Sequence, residues 1–278
     1  MKSGPLVSVI CVSYNHQMFV SEAIQSVLHQ SYENVELIVV DDGSTDKSVE
    51  LISSMNVRLI DLKTNRGYTK AFNEGWRQSK GDFIIDLAGD DALTPDRVKI
   101  GVHEFLKRDE IFGVQFGDVL YSNNELHSKR FPKPPEGDIY IDLIKKYFIS
   151  APSMMSRRSV LTMLNGYDET LAYEDFDFWI RSSRVFKYFY TPAVCVNKRI
   201  VKGSLSDQQF RKGSLQQLST YKVCEKIIAL NKSKEENKAL RERLWYEFRQ
   251  SILRTDFSLA SKYLRLIRNS QVLIDKVH

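Results

Sequence analysis

Three acidic pairs hold most of the chemistry this chain could do: Asp41-Asp42, Asp90-Asp91 and Glu174-Asp175. Adjacent carboxylates in a turn repel one another, so each pair must be solvated or share a cation. Taken alone, each also reads as an ordinary solvated turn. The first two pairs follow apolar runs, Val35-Glu36-Leu37-Ile38-Val39-Val40 and Phe83-Ile84-Ile85-Asp86-Leu87. Carboxylates at the carboxyl ends of strands lie where open α/β sheets bind ligands. Oxygen ligands without nitrogen or sulfur suit Mg²⁺ or Mn²⁺, which keep waters and share the phosphates of a substrate. No glycine-rich dinucleotide or P-loop pattern follows the first strand, and no histidine cluster marks zinc. This chemistry points to a nucleoside-diphosphate compound clamped by a divalent cation, with Glu174-Asp175 left over as a general base.

The elements that must position these acids alternate regularly. Leu6–Val12 reads as a buried strand ending in Ser13-Tyr14-Asn15. Val20, Ala23, Ile24, Val27 and Leu28 mark one face of a helix. The Val35–Val40 run has the near-continuous apolar character of a central parallel strand. A helix capped by Thr45 or Asp46 follows, then a strand over residues 57–62 and a helix from about Thr69 to Ser79. The fourth strand, Gly81–Leu87, runs into Asp90-Asp91. Thr94 as N-cap and Pro95 as first residue then open a helix that puts Val98, Val102, Phe105 and Leu106 on one face. The economical solution is a parallel sheet with helices on both faces, its strands ending at Ser13, Asp42 and Asp91 on a common edge.

After Lys107 the rhythm changes. Residues 112–121 read as a strand, 128–138 as a proline-rich surface loop, Ile139–Ile149 as a helix and Ala151–Met155 as extended chain. Glu174 opens an aromatic-rich helix in which Phe176 and Trp179 read as core. Two short strands meet near Pro192, and the chain reads as helical from Ser206. Domains are expected at 1–206, catalytic, and 207–278, a helical basic extension.

Composition narrows the classes. The formal net charge is +5. From Asp207 onward fifteen basic residues face eight acidic ones, about +7, leaving the rest slightly acidic. A basic tail on such a body suggests an anionic surface or partner for the tail, and does not suggest a nucleic-acid enzyme. Cys11, Cys195 and Cys224 lack metal-binding spacing and suit a reducing cytoplasm. No run approaches the roughly 18 apolar residues of a membrane span. Trp245 and Phe248 are costly to leave in water, so the tail is expected to pack on the catalytic domain or a second subunit. A reversible electrostatic contact of its Lys and Arg with the inner face of a membrane is the alternative.

Taken together, the pieces resemble a family 2 inverting glycosyltransferase with the Rossmann-like glycosyltransferase A fold, an α/β architecture with a mostly parallel central sheet flanked by helices. They are Ser8-Val9-Ile10 with Ser13-Tyr14-Asn15, Gln30-Ser31-Tyr32, Glu36 to Asp42 with Gly43-Ser44-Thr45-Asp46, and Asn65-Arg66-Gly67 with Ala71, Asn73 and Gly75. Gly81-Asp82-Phe83-Ile84 with Asp90-Asp91 and Pro95-Asp96, and Gly166-Tyr167-Asp168-Glu169 with Glu174-Asp175, complete the set. The resemblance implies that Tyr14 and Asp42 hold the base of a UDP-sugar, with Asp41 there or bracing the turn. It implies Asp90 as ligand of Mg²⁺ or Mn²⁺, Asp91 as its support, Lys70 as a positive charge near the donor and Asp175 as catalytic base. Glu174 beside Asp175 is a like charge that raises the pair's apparent pKa. The implied acceptor is a glycan or lipid-linked glycan in surface polysaccharide assembly.

Three departures stand out. The first Asp of the family's Asp-x-Asp is Ala88, with Asp86 a distant substitute on the same strand face. The family's frequent Arg is Phe72. The His ahead of the Gly-Ser-Leu-Ser ending is Val201, and Arg199 and Lys202 are left to meet the diphosphate as point charges. These losses keep open a second reading, a catalytically weak sugar-nucleotide binding or scaffold protein. A nucleotidyltransferase is disfavoured by the position of Glu174-Asp175 so far along the chain.

Overall fold

The computed structural model describes residues 4–122, 126–129, 134–201 and 212–276, with backbone alone at 126–129 and beyond 270. Strands β1 (Val7–Ser13), β2 (Val35–Asp41), β3 (Arg58–Asp61) and β4 (Phe83–Ala88) form a parallel half-sheet in the order β3-β2-β1-β4. All seven residues of β1 are buried, as a strand covered on both faces requires. Register places Ser13 beside Asp41 and Val12 beside Ala88, so the carboxyl ends of these strands share one edge. The sheet continues through β8 (Met155–Arg157), β6 (Phe112–Ser122), β9 (Lys187–Arg199) and β5 (Ala92–Leu93). β6 and β9 pair in parallel, while β5 and β8 join antiparallel, so the sheet is mostly parallel.

Helices α1 (Val20–Leu28), α2 (Ser48–Ser54), α3 (Tyr68–Gln78), α4 (Arg97–Leu106) and α6 (Arg158–Leu164) accompany this sheet. α3 sits close against β1 and β2. A Cβ on Gly75 would lie 2.5 Å from Ile10 Cγ2 and 2.8 Å from Val40 Cγ2, so only glycine permits that approach. α1 buries Val20, Ala23, Ile24 and Val27, and α4 buries Val98, Val102 and Phe105. Leu28 and Leu106, expected on those faces, are exposed. Leu28 stands eight residues after Val20 and Leu106 eight after Val98, a rotation of about 80° at 3.6 residues per turn that carries each past the edge of the buried stripe.

Other local readings need correction. Thr94 does not cap α4. Its hydroxyl donates to the Val194 carbonyl at 2.7 Å, and the helix begins three residues later behind Asp96. Asp46 does receive Ser48 N–H at 2.9 Å, but from two residues ahead of α2. The helix expected over 139–149 is the shorter α5 (Tyr140–Lys145), because Lys146 turns extended. Ala151–Ser153 forms a 3-10 turn before β8. Pro192 does not divide two strands: β9 runs through it, and the ladder with β6 shifts register around Asp118. A bulge of this kind accommodates a residue that has no N–H to donate. Within the expected loop at 128–138, β7 (Leu126–Lys129) pairs with β6, and 130–133 lie outside the described residues. Of the tail expected to be helical from Ser206, residues 206–211 lie outside them too.

The chain gathers into two compact units. One comprises Met1–Gly137, Ile149–Glu169 and Phe186–Ile200 and carries the sheet. The other comprises Asp138–Phe148, Thr170–Val185 and Val201–His278. It holds α5, α7 (Glu174–Ser183), α8 (Leu215–Leu230), α9 (Lys234–Leu253) and α10 (Phe257–Lys276). Its core includes Leu143, Ile144, Phe176, Trp179, Val223, Ile227, Leu240, Leu244 and Tyr263, all buried. The described residues contain no helix long and apolar enough to cross a membrane.

Candidate active site

In the first unit, the turns that leave β1, β2 and β4 are laced into one surface. Asp42 N–H donates to the Ser13 carbonyl at 2.8 Å, and Gly89 N–H to the Val12 carbonyl at 2.8 Å. Asn15, in the left-handed region at φ 56°, accepts Thr45 N–H at 2.8 Å, while its own N–H donates to Ser44 Oγ. Gly43 has φ 75°, and a Cβ there would lie 2.5 Å from the Thr64 backbone, so the turn after β2 closes only with glycine. Tyr14 projects from this surface, 42% exposed.

The acids differ sharply in what they do here. Asp41 is fully buried and grips Ser44, accepting its N–H at 2.8 Å and its hydroxyl at 2.7 Å. Asp42, 2% exposed, accepts Arg66 N–H at 2.7 Å and Gly67 N–H at 2.9 Å. Burial raises its pKa against the pull of those two N–H groups. The Asn65-Arg66-Gly67 segment is therefore tied to the end of β2. Asp91, 1% exposed, accepts Arg199 N–H at 2.9 Å, and its other oxygen lies 3.7 Å from Lys198 Nζ. Burial pushes its pKa up to about 6; Lys198 opposes the shift, and Asp90 adds to it. Asp90 is only half-buried, and its carboxylate has no hydrogen-bond partner among the described residues. Its carbonyl accepts Arg199 Nη1 at 2.9 Å.

Lys70 is exposed in the first turn of α3. Phe72 is buried and stacks on Tyr167 with ring centroids 4.4 Å apart, so an arginine could not take its place without vacating core. Asp86 is engaged by two phenols, Tyr68 at 2.6 Å and Tyr167 at 3.1 Å. Arg199 is drawn to Asp90 and also pairs with Glu22. Lys202 and the Gly203-Ser204-Leu205-Ser206 segment lie outside the described residues. Sequence reading missed Lys198 as the cation beside Asp91 and Tyr68 and Tyr167 as the holders of Asp86. A lone lysine or tyrosine carries no spacing signal that would have singled them out.

In the second unit, Glu174 and Asp175 occupy the first turn of α7, where the helix N-terminus favours negative charge. Phe176 and Trp179 are buried, which makes them core. Asp177 is fully buried between Arg181 and Lys226, each at 2.6 Å, and so anchors α7 to α8. Tyr147 packs edge-on against Tyr173 at 5.8 Å and Phe176 at 4.9 Å. The Arg243 guanidinium of α9 lies 3.9 Å above the Tyr147 ring and pairs with Glu247. The residue pair at the start of α7 therefore stands on a base to which α8 and α9 contribute directly.

The donor set for a metal is small. Ala88 offers none, Asp91 is committed to Arg199 and Lys198, and no group of three or more His, Cys, Asp or Glu could hold an ion among the described residues. Asp90 remains, with the buried Asp91 Oδ2, which accepts no hydrogen bond among the described residues, behind it. Mg²⁺ and Mn²⁺ accept such a site when substrate phosphates and water complete the shell. The residues fit a cation that arrives with a diphosphate better than one held by protein alone.

Residues 8–164 match the model of the family described as Glycosyl transferase family 2. The chain belongs to that family. An uncharacterized glycosyltransferase of Rickettsia typhi is 28% identical over 79% of this chain and 70% of its own length. The putative glycosyltransferase EpsE of Bacillus subtilis is 33% identical over 65% of this chain and 68% of its own. Among solved structures, S. aureus TarS 1-349 in complex with UDP-GlcNAc aligns with TM-score 0.69 at 18% identity, covering 86% of this chain and 71% of that fragment. The Pyrobaculum calidifontis mannosyltransferase PcManGT, in complex with GDP-Man and Mn²⁺, aligns with TM-score 0.62 at 17% identity, covering 98% and 86%. These likenesses establish the glycosyltransferase A fold of this family 2 chain.

Proposed function

We propose that this family 2 chain is an inverting glycosyltransferase that moves one sugar from a UDP-sugar to a glycan or lipid-linked glycan acceptor in surface polysaccharide assembly. The observation that carries the reading is the Asp90 carboxylate, which has no hydrogen-bond partner among the described residues on an edge where Asp41, Asp42 and Asp91 are bonded into the fold. In this reading Tyr14 packs on the base. Asp42 accepts from a uracil N–H with its remaining lone pairs, since each carboxylate oxygen carries two. Asp41 and Asp91 hold the two turns in shape, and Lys70 supplies positive charge toward the diphosphate. A Mg²⁺ or Mn²⁺ ion at Asp90, when bound, neutralises charge that develops on the departing diphosphate. Asp175 takes the proton from the acceptor hydroxyl as that oxygen attacks the anomeric carbon, with Glu174 alongside. Attack opposite the leaving group inverts the anomeric centre, and no covalent enzyme nucleophile is needed.

The free, buried thiols Cys11, Cys195 and Cys224 suit the cytoplasm. A peripheral contact of residues 207–278 with the inner face of the membrane would bring a lipid-linked acceptor within reach. Ala88 and the commitment of Asp91 favour a second reading, a sugar-nucleotide binding protein with weak turnover. A thermal-shift screen of nucleotide sugars with and without Mn²⁺, followed by hydrolysis of the donor that binds, tests both. Metal-dependent stabilisation by a UDP-sugar together with its slow hydrolysis is the expected result. Binding without any hydrolysis favours the second reading, and no binding of any nucleotide sugar removes the first.

A further inference from the structure

We propose that the corner between α9 and α10 inserts into an anionic bilayer through Ile252, Leu253 and Phe257. The proposal sharpens the membrane contact suggested for residues 207–278 from a purely electrostatic one to an apolar insertion edged by cations. Five large side chains crowd the corner and the turns beside it: Trp245 36%, Tyr246 54%, Ile252 40%, Leu253 75% and Phe257 65% exposed. Trp245 packs edge-on against the half-buried Phe248, at 5.6 Å. Tail aromatics that sequence alone would bury are thus left partly in water.

The corner is built to hold these side chains outward. Thr255 takes the left-handed region at φ 56°. Arg254, Thr255 and Asp256 N–H groups donate to the Gln250, Ile252 and Ser251 carbonyls, closing α9. Asp256 then caps α10, accepting Leu259 N–H at 3.0 Å. Three successive N–H groups of the turn are thus paired within it, which lowers the cost of taking it out of water.

Charge selects the occupant. The acids near the corner are engaged: Glu247 pairs with Arg243, and Asp256 caps α10. Arg249, one turn above Leu253, is exposed with no ion pair among the described residues. Arg265 and Arg268 are exposed along α10. Glu242, three turns above Leu253, lies 3.8 Å from Lys145. Apolar side chains at the tip with arginines behind them match lipid tails beneath anionic headgroups. Trp245 lies about 12 Å up the helix from Leu253 at 1.5 Å per residue, at the depth where interfacial aromatics sit. A second copy of the chain fits less well. A two-fold contact would set this cationic patch against itself.

The test reads no turnover, so its outcome is independent of the glycosyl-transfer reading. Trp76 and Trp179 are buried, which makes Trp245 the tryptophan that responds to solvent. Mixing the full chain with vesicles of phosphatidylglycerol and phosphatidylcholine should blue-shift its emission and allow quenching by brominated lipid. Pure phosphatidylcholine should give a weaker response, and the signal should vanish in Trp245→Phe while flotation persists. The double variant Leu253→Ser with Phe257→Ser should lower the vesicle partition coefficient at least about tenfold, given the apolar surface removed, with an unchanged circular dichroism spectrum and melting temperature. Flotation of the double variant equal to that of the parent would leave only surface charge and overturn the insertion. No response to anionic vesicles at low salt would overturn it as well. So would a concentration-dependent shift without lipid, accompanied by a doubled mass in light scattering, which would assign the corner to a second copy.

Discussion

At the scale of single residues, adjacent and chemically identical carboxylates have different jobs. Asp42 fills two backbone N–H groups of the loop after β3, whereas Asp90 fills none among the described residues. Asp42→Ala should therefore strand Arg66 N–H and Gly67 N–H in a nearly dry site and cost roughly 1–3 kcal/mol in urea unfolding, the usual penalty for unsatisfied buried groups. Asp90→Ala should leave the melting temperature within error and selectively weaken metal-dependent UDP binding by calorimetry. Equal losses of stability in the two variants would show that Asp90 is structural as well.

At the scale of elements, side-chain bonds fix how helices meet turns. Asn73 of α3 is fully buried and reads the Gly166–Glu169 turn. It accepts Tyr167 N–H at 2.9 Å and donates to the Tyr167 carbonyl and Glu169, also at 2.9 Å. Asn73→Ala leaves those backbone groups unpaired and should lower stability by roughly 2–3 kcal/mol in denaturant melts. α9 starts on a capping box in which Ser233 Oγ accepts Glu236 N–H, and Glu236 also binds Arg184 at 2.7 Å. Burial opposes ionisation of Glu236, but the Lys232 N–H and Arg184 prevail and hold its pKa below the ordinary 4.5. A depressed folded-state pKa adds stability above the unfolded value that is lost as pH falls through the folded one. Glu236→Gln should thus be less stable than the parent at neutral pH, and the gap should narrow below about pH 4.5. A gap constant from pH 7 to pH 3 would contradict this assignment.

At the scale of the whole molecule, the residues proposed for the donor and the residues proposed for proton removal fall in different compact units. Tyr14, Asp42 and Asp90 belong to the sheet-bearing unit, and Glu174 and Asp175 to the unit that contains the C-terminal helices. Asp175→Asn should accordingly cut turnover roughly 10²–10⁴-fold, the range for a general base, while UDP affinity stays near that of the parent. A parallel loss of both would move Asp175 to the donor side. A second consequence concerns the tail. Arg243 and Lys226 come from α9 and α8 and pack directly on the elements around α7. Deleting residues 212–276 should therefore cost the second unit its fold and abolish transfer, rather than only a membrane contact.

The sequence by itself determined the parallel half of the sheet, its common acidic edge and the family. Those features rest on short-range signals: continuous apolar runs, period-3.6 faces and acids at strand ends, each legible within about ten residues. It also showed which acids stand on that edge. Only the tertiary structure decided which of them remain available, because their partners come from far along the chain: Arg66 and Gly67 for Asp42, Lys198 and Arg199 for Asp91. The same holds for the tail. Spacing read Trp245 and Phe248 as residues to bury, but the turn at Thr255 sets the faces that α9 and α10 present to each other, and Trp245, Leu253 and Phe257 fall outside them. Burial is a property of where two helices meet, and a single helix's periodicity does not contain that geometry.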